Sequence, residues 1–177
     1  MKRLLITLSV AAALWSAACG SAGSSVQPPP PSGKYSLANL NGQYAFVTNG
    51  EVFTNGSSFP FPLARVGVFI ADGKGNITGG IEDLNADGTP SNAIAITNGT
   101  YTVNADGRGA LALNVGQSTL DFGITLTSTS DGLLIDETSN SNQASTGSGN
   151  FVLQKAAPFA LTDVNGPYVF EDRKSVV

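Results

Sequence analysis

Histidine is absent from the 177-residue chain, and cysteine occurs once, at Cys19. Without histidine there is no Ser-His-Asp triad, no Cys-His dyad and no Cys/His zinc site. One cysteine cannot make an intrachain disulfide. Charge is scarce too: charged side chains are 12% of residues, about half of the roughly 25% usual in globular chains. The formal net charge is −4, and removal of a leader carrying Lys2 and Arg3 makes the remainder more acidic. No basic patch of the kind that neutralises phosphates occurs, which excludes a nucleic-acid partner from the reading. The serine elbow G-x-S-x-G and the phosphate loop G-x-x-x-x-G-K-[ST] are missing. No cofactor is implied. Ser, Thr, Asn and Gly supply the polarity, and these favour turns and short strands over helices.

What is present begins with an address. Residues 1–18 carry two positive side chains, Lys2 and Arg3, then an apolar run from Leu4 to Trp15, then Ser16, Ala17 and Ala18. That is the layout of a secretory signal peptide. Roughly 12 apolar residues fall short of the ~20 that span a bilayer. Cys19 follows the small residues and precedes Gly20 and Ser21, an arrangement that resembles a bacterial lipobox, with Ser16 where that motif prefers leucine. The resemblance implies acylation of Cys19, and two or three acyl chains hold a protein on a membrane stably. Residues 19–34 then read as a Gly/Ser/Pro tether, flexible at first and stiffened by Pro28–Pro31. The expected location is the cell envelope, anchored in the outer membrane, or else the periplasm or medium. The expected partners are a membrane through Cys19 and an unknown surface partner or small ligand.

After the tether the chain says one phrase twice. Residues 35–46 read YSLANLNGQYAF and residues 159–170 read FALTDVNGPYVF. Leu37/Leu161, Asn41/Asn165, Gly42/Gly166, Tyr44/Tyr168 and Phe46/Phe170 are identical pairs. Such recurrence marks a repeat architecture. Residues 35–156 read as one complete unit, and 157–171 as the start of a second copy.

Within 35–156, apolar and polar residues alternate with period two in eight stretches joined by turn signals. The stretches are 43–48, 64–71, 76–83, 93–104, 108–115, 118–128, 133–138 and 147–155, with loops expected at 49–63 and 84–92. Hairpin-length links predict sequential antiparallel pairing. An open meander would expose two edges, and closure removes them. The expected fold is all-β, an eight-stranded antiparallel up-and-down barrel of lipocalin or avidin type. The alternative is a two-sheet β-sandwich. Tyr44, Phe46, Leu111, Leu113, Val115, Leu120, Phe122, Ile124, Leu126, Phe151 and Leu153 are expected inside. On the second stretch Val66, Val68 and Ile70 oppose Arg65, Gly67 and Phe69. On the third, Ile77, Gly79 and Ile81 share a side. On the seventh, Leu133, Ile135 and Glu137 do.

The motifs DGKGNITGGIED and GTYTVNADGRG, with NGQYAF before them and TGSGNFVLQ after, resemble a repeat of uncharacterised secreted and lipoprotein-type proteins of soil acidobacteria. The resemblance spans about 35–171. It implies a domain often found in tandem behind a lipoprotein leader, and it carries over no catalytic residue. Residues 172–177 do not continue a strand pattern. Back-translated as GAT CGG AAG AGC GTC GTG, they match a common sequencing adapter, so the expectation is that the natural gene continues past 171.

Three candidate sites remain. Asp83, Asn85 and Asp87, followed by Gly88, match the opening of a calcium loop, but Ile94 stands where that loop needs a bidentate glutamate. Turn chemistry explains the same residues, so no metal is assigned. Asp136 and Glu137 are neighbours on a strand, so they point to opposite faces and cannot flank one substrate. Strand parity selects Glu137, with Arg65, as the polar pair facing a ligand in the barrel. The function read from the chain is a non-enzymatic surface lipoprotein whose β-barrel serves display, adhesion or structure. The alternative is a small-ligand-binding barrel.

Overall fold

The computed structural model describes residues 33–54, 59–139, 143–155 and 158–167. The expected signal peptide, Cys19, most of the expected tether and residues 172–177 lie outside the described residues. Eight strands close into one antiparallel barrel in chain order: β1 (Asn41–Thr54), β2 (Phe61–Asp72), β3 (Asn76–Ala86), β4 (Thr89–Tyr101), β5 (Arg108–Val115), β6 (Ser118–Leu126), β7 (Asp131–Asp136) and β8 (Gln143–Leu153). Closure comes from β1 pairing β8 along its length, from Tyr44 opposite Leu153 to Thr54 opposite Gln143. The sandwich alternative is thereby set aside. The expected loops at 49–63 and 84–92 are shorter than the sequence indicated. β1 runs on through Thr54, and β3 and β4 meet at a tight turn of Asp87 and Gly88, both at positive φ. Mirror-type turns of this kind match the twist of a hairpin.

The chain enters at one mouth of the barrel and closes it. A 3-10 turn at Leu37–Asn39 is capped when Asn39 Oδ1 accepts the Ser36 N–H at 2.8 Å. Leu40 follows at 0% exposure, packed against the end of the core. The Tyr101 hydroxyl reaches the carbonyls of Leu40 at 2.8 Å and Leu37 at 3.1 Å. Burial pushes the Tyr101 and Tyr44 phenols above their ordinary values, so both keep the proton that makes them donors. Backbone bonds from Tyr35 to Ala105 and from Gly73 to Leu40 complete the seal. We call this segment the plug.

Above the plug the lumen is aromatic. Tyr44 stacks on Phe69 at 5.5 Å, and Phe151 meets both edge-on at 5.7 and 5.8 Å. Leu111, Leu113, Leu120, Phe122, Ile124 and Leu126 fill the β5–β6 side as their alternation requires.

β2 sets Arg65 inside as its sequence reading had it, while β3 and β7 depart from theirs. On β2 the lumen receives Arg65 and Phe69, while Val66 and Ile70 lie outside. A phenyl ring fits the aromatic cluster better than an isoleucine, and Arg65 finds a partner inside. On β3 the register slips between Ile70 opposite Gly79 and Ala71 opposite Ile77. A bulge adds one residue and reverses side-chain parity beyond it. Ile77 therefore points in, Ile81 points out, and Glu82 enters the lumen. On β7 Leu134 and Asp136 are inside, with Leu133, Ile135 and Glu137 outside. Here Gly132 must face inward, because a Cβ at that position would fall 2.2 Å from the Phe151 ring. Leu153, expected inside, is 38% exposed where β8 ends.

Candidate functional site

The lumen next to the plug is aromatic and aliphatic; farther along, a polar patch interrupts it on β1–β3 and β7–β8, with Val52 and Leu63 buried beyond the patch and Val115 and Leu120 across from it. Beyond Phe46, β1 turns Thr48 inward, directly opposite Arg65 on β2. β3 contributes Glu82, β7 contributes Asp136, and Thr138 and Ser145 follow around the wall. All six are buried, so their partners must come from one another or from the backbone.

Arg65 Nη1 donates to Glu82 Oε1 at 3.0 Å, forming an ion pair with both side chains less than a tenth exposed. The contact is single rather than forked. Arg65 Nε and Glu82 Oε2 are buried without a hydrogen-bond partner. Asp136 is better supplied: Oδ1 accepts the Thr138 N–H at 3.0 Å and Oδ2 accepts the Ser145 hydroxyl at 2.8 Å. Burial holds the Glu82 carboxyl above its ordinary value. Arg65 pulls it back down by charge and hydrogen bond, while Asp136 and Asp83 push it up. With every group ionised the lumen would hold two acids and one base. A proton on Glu82 relieves that imbalance.

The Ser145 hydroxyl donates to the Asp136 carboxylate.

Of the residues singled out from sequence, Arg65 lies inside the lumen. Glu137 does not: it is exposed on the outer wall, and the acids in the lumen are Glu82 and Asp136. The parity of β7 decides this, through the inward requirement at Gly132. Glu82 was legible only to a reader who placed a bulge at Thr78, just before Gly79. Asp136 carried no separate signal. Asp83 and Asn85 sit exposed on β3 and Asp87 in the turn beyond it. The Asp83 carboxylate accepts the Ala93 N–H at 2.6 Å, so it ties β3 to β4 across the irregular pairing there. Among the described residues, no group of three or more Cys, Asp or Glu is placed to hold a metal ion. Cys19 lies outside the described residues.

Against known protein families, curated proteins and solved structures, the chain finds no match.

Proposed function

We propose that the chain is a non-enzymatic, lipid-anchored surface protein whose barrel is a display, adhesion or structural module in a tandem series. One observation carries the tandem part. Residues 158–167 repeat the local conformation of the plug, not just its letters. Leu161–Asp163 form a 3-10 turn, and Asp163 Oδ2 accepts the Ala160 N–H at 2.8 Å, as Asn39 does from Ser36. Gly166 then adopts φ 127°, against 129° at Gly42. A segment that folds like a plug is the start of another barrel.

The topology supports presentation. β1 begins and β8 ends at the plugged mouth. The chain therefore enters and leaves the barrel at the same mouth. The lumen's aromatic half is filled by side chains, which suits a structural module. The resemblance to acidobacterial lipoprotein repeats agrees with this reading.

The second reading, a small-ligand barrel, is favoured by the unpartnered Arg65 Nε and Glu82 Oε2, which suit a ligand with adjacent donor and acceptor atoms. Reading the intact locus past codon 171 tests the first. An in-frame continuation with strands matching 43–155 is expected. A locus without them overturns the tandem series. Replacing Cys19 with Ser should abolish fatty-acid labelling and release the protein from the membrane fraction.

A further inference from the structure

The outer wall of the barrel has two unlike sides. Val47, Val66, Ile70, Ile81, Leu133, Ile135 and Val152 are all more than a third exposed, and they lie on β7, β8, β1, β2 and β3. Among the described residues of β4, β5 and β6, no large apolar side chain is exposed to that degree. Those strands turn Thr97, Ala110, Thr119 and Asp121 outward instead.

Register makes the apolar side continuous from β8 to β4, while Leu133 and Ile135 on β7 stand opposite Asn150 and Ser148. Val152 stands opposite Ala45, Ala45 opposite Val68, Val68 opposite Ile81, and Ile81 opposite Ala95. One row beyond, Val47 stands opposite Val66. The Val152-to-Ala95 row holds no charged side chain. A groove of about 400 Å³ runs over Ala45, Val66, Val68 and Ile81. A closed barrel has no free edge to protect, so this wall is not a strand-pairing hazard. Contiguous exposed apolar surface marks a docking face.

We propose that the β8–β1–β2–β3 side of the wall docks a second copy of this barrel. Three features select that occupant. The chain passes from β8 to the second plug through residues 154–158, a reach of at most roughly 20 Å, so the next copy is held beside this one. β8, which delivers the chain, and β1, which receives it, are the middle of the apolar side. Finally, copies in which acidic side chains outnumber basic ones repel one another, and the uncharged row is where they can approach. The neighbour's identity rests on the tandem reading.

The test uses the chain with Cys19→Ser, so that no lipid drives association, in sedimentation equilibrium. Reversible self-association in the range of roughly ten micromolar is expected. Val66→Lys or Ile81→Lys should weaken it by about tenfold or more with an unchanged thermal midpoint. Ala110→Lys, on the polar side, should leave it unaltered. A chain that stays monomeric to roughly hundreds of micromolar overturns the proposal. So does equal weakening by Ala110→Lys. Val66-dependent co-sedimentation with uncharged phospholipid vesicles would make the face a lipid contact and also overturn it. A locus without a second barrel removes the tandem reading while this measurement still decides the face. A monomeric chain from a locus with further barrels rejects the face alone.

Discussion

On β1, β2 and β8 the same inward parity yields rings near the plug and ionisable or hydroxyl groups farther along, before Val52 and Leu63 bury the last inward positions of β1 and β2. Tyr44 gives way to Thr48, Phe69 to Arg65 and Phe151 to Ser145. The aromatic end is sealed by the plug and gains from each apolar surface it removes from water. The polar patch holds its groups by pairing, and the pairing is incomplete at Arg65 Nε and Glu82 Oε2. A buried ion pair contributes little net stability, whereas breaking one is costly. The difference teaches what each region is sensitive to: the plugged region to loss of packing, which is indifferent to pH, and the polar patch to loss of a charge partner, which is not.

The contrast can be broken in either region. Phe69→Ala removes the ring that touches Tyr44, Phe46 and Phe151, and should cost about 3–5 kcal/mol at any pH in denaturant unfolding. Arg65→Met strands Glu82 and should cost about 3–5 kcal/mol near neutral pH. Unlike the first loss, this one should shrink in acid, where Glu82 takes up a proton. The direction follows from linkage. Glu82 is raised in the fold, so between the ordinary glutamate value and the raised one the folded barrel holds a proton that the unfolded chain has lost. Stability therefore falls as pH rises through that window, and Glu82→Gln should flatten the slope. Asp72, Asp106 and Asp131 are lowered by their hydrogen bonds to Asn76, Arg108 and Ser128, so their contribution is present above the aspartate range and lost below it. An optimum between the two ranges is expected in melts across pH. A Glu82→Gln variant with the parent's pH slope would sink this account of the polar patch.

Smaller effects sharpen the comparison between the plug and its second copy. Gly42→Ala forces alanine to φ 129° and sets its Cβ 2.8 Å from Leu153 Cδ1, and should cost more than about 1 kcal/mol. Gly166→Ala meets nothing within 4 Å and should leave the barrel's thermal midpoint where it was. Tyr101→Phe takes the hydroxyl from the Leu37 and Leu40 carbonyls and should cost about 1 kcal/mol.

Strand number, closure and the inward faces of β5 and β6 were legible because alternation there is clean: Leu111, Leu113 and Val115 face one way, with Ala110, Ala112 and Asn114 opposite. β7 was misread, because both of its faces carry apolar residues and Leu133 with Ile135 outweighs Leu134; the Phe151 ring over Gly132 reversed that count. β2 also carries apolar residues on both faces, and the ring cluster around Phe69 fixed its inward side together with Arg65. β3 was hidden by its bulge. The lumen site was therefore half readable: Arg65 was placed inside, Glu137 was chosen over its neighbour Asp136, and Glu82 was not named.

The plug and its copy divide the two kinds of information. Leu161 is 94% exposed and Val164 72%, while their counterparts Leu37 and Leu40 are half-buried and fully buried. The 3-10 turn, its side-chain cap and the positive-φ glycine arise in both places, because those depend on neighbours a few residues away. Burial arises only at the first, because it requires Tyr101, Gly73 and Ala105, brought to one mouth by strands distant in the chain. Local hydrogen bonds and backbone sterics were written into the amino-acid order; which face of each ribbon met the lumen was settled only when the barrel closed.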